Sequence, residues 1–157
     1  MRTATAIGLG LALLLATSTR GQDTKTTTGA KANEFEGAYT IVSGEDNGKP
    51  APDEMIKGTS VRITGDSIVV ADKDDKDIYV SSYVLDAKKN PATIKMTETG
   101  GPRGRKGQKA QGIIQRDGDT VMLCYCYEGG IVPTKFKTTP GEKQLCFTMK
   151  RRDKDAK

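Results

Sequence analysis

The stretch at 117–130, DGDTVMLCYCYEGG, decides the fold. Its acidic-glycine start supplies the positive backbone angle that a tight hairpin turn requires. Residues 120–127 that follow are dominated by Thr, Val, Leu, Cys and Tyr, a composition suited to a half-buried pleated surface. Cys124 and Cys126 stand two apart, so on a strand they share one face, and Val121, Leu123 and Tyr125 share the other.

Working outward, the same device repeats. Downstream, 144–150 forms a last strand whose Leu145, Phe147 and Met149 match the inward set, leaving Cys146 on the cysteine face. Upstream, 110–116 carries Ile113 and Ile114, and 92–97 places Ile94 and Met96 on one face. Before these come a strand at 78–85, the turn DKDDKD at 72–77, and a hairpin of 61–64 with 67–71 across Gly65-Asp66. A first strand at 37–45 alternates, with Tyr39, Ile41 and Ser43 on one side. NGKP at 47–50 turns the chain, and PDEMIK at 52–57 makes one short helical turn ended by Gly58. That turn is suited to plug or cover a barrel mouth. The expectation is all-β: a small antiparallel up-and-down, lipocalin-like barrel of about eight strands. No helix is long enough to cross over between parallel strands.

Composition bounds the function. The 157 residues fit one domain. Hydrophobic residues make up 35%, aromatic residues 5% and charged residues 29%, with 18 glycines and no tryptophan, which describes a lean core under a wet surface. There is no histidine, which removes Ser-His-Asp and Cys-His catalysis, His-liganded zinc and the usual near-neutral general base. The chain is therefore expected not to be an enzyme, and no metal or cofactor is called for. The formal charge of +5 falls to +3, 23 cations against 20 anions, once Arg2 and Arg20 are set aside. That is too mild to argue for nucleic acid, which needs many cations on one face.

The N terminus carries an address. Arg2, an apolar run at 4–16, and small polar residues before Arg20 and Gly21 make a secretory signal pattern over 1–21. The run is shorter than the ~20 residues of a bilayer-spanning helix. The mature chain is expected to be exported, periplasmic or extracellular, with no transmembrane segment after signal removal. Residues 22–34, rich in Thr, Lys and Ala, form a flexible leader, 35–151 the barrel domain, and 152–157 a solvated tail.

Four phrases in this order, GAYTIVSGEDNGKPAPDE, VLDAKKNPATIKMT, GIIQRDGDTVMLCY and VPTKFKTTPG, resemble a domain family recurrent in planctomycete bacteria, of uncharacterised function. The resemblance spans about 35–151 and implies a lipocalin-like fold, with no catalytic residues to carry over. This chain has Tyr39 where the family usually has Trp, and Val132 and Lys135 where it tends to have Arg and Glu.

Candidate sites follow from these placements. Tyr39, Tyr83, Val121, Leu123, Tyr125 and Phe147 are the cavity candidates, because an eight-stranded barrel holds either its own side chains or one small ligand. Cys124, Cys126 and Cys146 are disulfide candidates: exported chains meet oxidising conditions, and adjacent strands bring one of the pair opposite Cys146. Three cysteines without histidine fall short of a structural zinc set. The acidic run at 72–77 lacks the spacing of a calcium loop and serves as a solvated turn. Arg103, Arg105, Lys106 and Lys109 form the densest basic cluster, a candidate anion site. The leading expectation is an exported barrel that binds a small, partly apolar molecule in its interior. The alternative is a structural or interaction module of the cell envelope, binding anionic polymers or protein partners.

Overall fold

A computed structural model describes residues 34–152. The expected signal segment at 1–21, nearly all of the leader and the tail beyond Arg152 lie outside the described residues. Strands run in chain order as β1 (Gly37–Asp46), β2 (Lys49–Pro50), β3 (Ser60–Ile63), β4 (Ser67–Ala71) and β5 (Asp77–Asp86). They continue as β6 (Ala92–Gly100), β7 (Lys109–Asp117), β8 (Thr120–Tyr127) and β9 (Gln144–Arg151), and one helical turn, α1 (Asp53–Ile56), lies between β2 and β3.

All pairings are antiparallel between neighbours, and β9 pairs back onto β1, so the sheet closes into an eight-stranded barrel. The extra strand, β2, is a two-residue return that pairs only with the end of β1. The expected up-and-down, lipocalin-like barrel with one short helical turn is the fold observed. Closure removes every long edge that another chain could extend.

Register follows from the side-chain period. Val121, Leu123 and Tyr125 stand opposite Met149, Phe147 and Leu145, as the alternation requires. On β6, Ala92, Ile94, Met96 and Glu98 are buried while the residues between them are more exposed. The core runs through the barrel from Phe35, Tyr39 and Met149 at one end to Met96, Ala110 and Leu123 toward the other.

One expectation fails in β1. A bulge between Ile41 and Ser43 shifts the register, so Ser43 joins Val42 among the exposed residues and leaves the face of Tyr39 and Ile41. Beyond the bulge Gly44 turns inward instead. A Cβ there would lie 2.7 Å from Phe147 Cδ1 and 2.9 Å from Ile56 Cδ1. Glycine at this point is what lets α1 press onto the barrel.

The two ends differ. At the base the connections are short, and Tyr39, fully buried, donates its hydroxyl 2.7 Å to the Phe35 carbonyl. The Arg151 guanidinium lies 5.4 Å from the Tyr39 ring centroid, a cation over an aromatic face. It also donates to the Tyr39 hydroxyl and the Glu36 carbonyl. These contacts stopper the base. At the mouth stand α1 and the longer connections after β4, β6 and β8.

Candidate functional site

The cavity opens toward the mouth and has a volume of about 210 Å³. Its walls are mainly apolar: Ile41, Val61, Ile68, Met96, Leu123 and Phe147 among others, with Met55 of α1 at the rim. Strand alternation supplies the stave residues among them, since each inward position is followed two residues on by another. The short helix does take the place at the mouth that its sequence suggested.

Of the six cavity candidates, Leu123, Tyr125 and Phe147 line this space. Tyr39 and Val121, both fully buried, and Tyr83 lie outside it and fill the base end with the core. The Tyr83 hydroxyl donates 2.5 Å to the Thr64 carbonyl, and burial, then the carboxylates of Glu36 and Asp66, push its phenol up to about 12.

The polar centre of the cavity is a residue the sequence reading passed over, Glu98. It is 5% exposed and lines the cavity. The Tyr127 hydroxyl donates 2.8 Å to Oε1, and the backbone N–H of Arg105 donates to Oε2. The main chain repeats the fastening: Glu98 N–H donates 2.9 Å to the Gln108 carbonyl, and Gly107 N–H donates 2.7 Å to the Glu98 carbonyl. The loop 101–108 is therefore folded back over a buried carboxylate. The signal was available, because Ile94 and Met96 share the inward face and the same period continued one step reaches Glu98.

Aromatic rings stand beside that carboxylate. Tyr125 and Tyr127 meet edge to face with centroids 5.6 Å apart, and the Tyr125 centroid lies 6.4 Å from that of Phe147. Both separations fall in the range where aromatic pairs attract beyond simple burial. Burial, above all, drives the phenols of Tyr125 and Tyr127 well above the ordinary tyrosine range. Tyr127 meets Glu98 as a hydroxyl donor.

The four basic residues stand differently toward the cavity. Arg103 alone of the four reaches the rim of the cavity; Arg105, Lys106 and Lys109 are exposed along the loop and the start of β7. Arg105 serves through its main chain rather than its guanidinium.

The cysteines lie on the outer face of β8 and β9. All three are buried free thiols, so the expected disulfide is not formed. Cys124 and Cys146 are nonetheless direct cross-strand partners, while Cys126 stands opposite Gln111 and Gln144. Ile113 and Phe136 cover the pair, Phe136 reaching it from the connection after β8. The adjoining Cys146 thiol holds the Cys124 pKa down against the effect of burial, and the same pairing together with burial raises that of Cys146. Beside them Glu45 accepts from the Thr138 N–H at 2.9 Å and hydroxyl at 3.1 Å, pinning the connection to β1.

Among the described residues no group of His, Cys, Asp and Glu is arranged to hold a metal ion, and no helix is long and apolar enough to cross a membrane. Compared with known proteins, the chain matches no family profile, no curated protein and no solved structure. The site's own geometry carries the functional reading.

Proposed function

We propose that this chain is a non-enzymatic binding protein that takes a small, partly apolar molecule into the mouth end of its barrel. The observation that carries the reading is the cavity of about 210 Å³, with apolar walls and one buried carboxylate. Apolar enclosure with a few placed polar groups is how small-molecule sites combine affinity with orientation. Tyr39, Tyr83 and Val121 pack into the core at the base of this barrel, and the cavity lies toward the mouth.

The size limits the ligand. An engineered cavity of about 150 Å³ takes benzene, so this one suits a molecule of roughly eight to ten non-hydrogen atoms. The barrel acts outside the cytoplasm in this reading, after removal of 1–21. N-terminal sequencing of the mature chain checks that step, with a start at Met1 counting against it.

Native mass spectrometry of protein purified from its own cells tests the binding. A co-purifying small molecule, released on unfolding and lost in Ala110→Leu, is the expected result. Ala110 lines the cavity, so the larger side chain occupies ligand space. Protein that carries no adduct and takes up no apolar probe of this size would sink the reading.

A further inference from the structure

We propose that the ligand is a small organic cation, an alkyl- or arylalkyl-ammonium, whose charged head is received by Glu98 beside Tyr125 and Tyr127. This rests on the cavity reading above and adds the chemical class.

The argument begins with a charge lacking a counter-charge. Glu98 is 5% exposed, and among the described residues no ion pair reaches it. Its two donors, the Tyr127 hydroxyl and the Arg105 N–H, are both neutral. A carboxylate offers about four acceptor positions, so two bonds leave capacity on a group that lines the cavity. Taking a carboxylate out of water is costly unless an opposite charge comes with it. An ammonium head supplies that charge together with N–H donors.

The neighbours favour the same ligand. The faces of tyrosine rings attract cations, and Tyr79, Tyr125 and Tyr127 all line this cavity. At the rim, Glu54 of α1 adds a second carboxylate, and Gln108 a neutral amide. Among the described residues that line the cavity, Arg103 is the one cation. It is exposed, its backbone N–H is tied to the Ile78 carbonyl at 3.1 Å, and no ion pair joins it to Glu98. Below the head, Met96, Leu123, Leu145 and Phe147 provide an apolar wall for the body. A fatty acid or other organic anion would bring its charge against Glu98. A neutral apolar molecule would seal that carboxylate away from water with nothing in exchange.

Calorimetric titration of the full chain with 2-phenylethylamine, 2-phenylethanol and 3-phenylpropionate tests this. The three share a ring and differ in the charge of the head. The wild-type chain is expected to bind the amine at least tenfold more tightly than the alcohol, and the acid not at all. Glu98→Gln should bring the ratio of amine to alcohol affinity to within about twofold of one. The wild-type comparison does not depend on how well the variant folds. Equal binding of amine and alcohol, or tighter binding of the acid, overturns the cation assignment and leaves the cavity reading standing. Binding of none of the three overturns the cation assignment, and where the native mass spectrum also shows no adduct it overturns the cavity reading as well.

Discussion

Replacing Tyr127 with phenylalanine removes a single oxygen from the mouth. That oxygen donates 2.8 Å to Glu98 Oε1, and Glu98 is 5% exposed, so the substitution leaves a buried carboxylate oxygen facing an apolar wall. A hydrogen bond to a charged group contributes about 1.5–3 kcal/mol net. The ring stays, and with it the edge-to-face contact to Tyr125 at 5.6 Å, so packing losses are minor. The expected cost is about 2 kcal/mol, or roughly 6–10 °C in Tm for a domain of this size. Urea unfolding followed by circular dichroism reads it as a lower midpoint with the slope unchanged. Repeating the substitution in a Glu98→Gln background assigns the cause. If the bond is the source, the second background should show a loss smaller by about 1 kcal/mol or more. A Tyr127→Phe chain within about 0.5 kcal/mol of wild type, or one losing equally in both backgrounds, would refute the idea that this hydroxyl holds the carboxylate.

Other perturbations separate main chain from side chain and one end from the other. Arg105→Gln should leave stability within about 0.5 kcal/mol, because only the backbone N–H of Arg105 serves Glu98. Arg105→Pro removes that donor and should cost about 1–3 kcal/mol, with faster hydrogen exchange at the Gly107 amide; equal effects of the two would contradict the assignment. Gly112→Ala should cost at least about 2 kcal/mol in the same urea assay, since the new Cβ would collide with the Cys124 carbonyl oxygen of the next strand. At high pH, Tyr83, held up at about 12, and Tyr125 and Tyr127, also raised, keep their protons while folded. The unfolded chain ionises them near 10, so it binds fewer protons and stability falls as pH rises from about 10 through 12. Urea midpoints that hold steady across that window would count against the burial of these rings. Oxidised glutathione should link Cys124 to Cys146 and leave Cys126 free, as peptide mapping after thiol blocking would show; a bridge involving Cys126 would contradict the cross-strand register.

What could be read from the residues was whatever obeys a local period. Cys124, Cys126 and Cys146 fell on the outer face and Val121, Leu123 and Tyr125 on the inner one because alternation on β8 and β9 is unbroken. The turn at 118–119 was legible for the same reason, Gly118 taking φ +56. Ser43 was misplaced because a bulge changes the parity of β1, and nothing in GAYTIVSG marks where the extra residue sits. Tyr39 and Tyr83 were grouped with Tyr125 since pattern tells inside from outside and says nothing of depth along a barrel. Depth depends on strand stagger, a property of the closed sheet.

The mouth was hardest to read because it is assembled by contacts far apart in sequence. Asn47 Oδ1 accepts from the N–H groups of Gly141 and Lys143, Gln144 Nε2 donates 2.9 Å to the Ile131 carbonyl, and Thr138 is fastened to Glu45. The loop 101–108 drew notice as a candidate anion site because its cations are conspicuous, yet its anchoring role rests on amide groups that every residue except proline has. Glu98 was hidden for the complementary reason, since a single Glu in the run TETG carries no composition signal. Its inward position emerges only when the alternation of Ile94 and Met96 is carried on to where the strand meets the loop. An acidic side chain at that position costs stability unless it is fastened, and the chain fastens it twice at the side chain and twice at the backbone. A leucine there would extend the core at no such cost, so the presence of a carboxylate on the cavity wall is the strongest reason to look for a ligand with a matching charge.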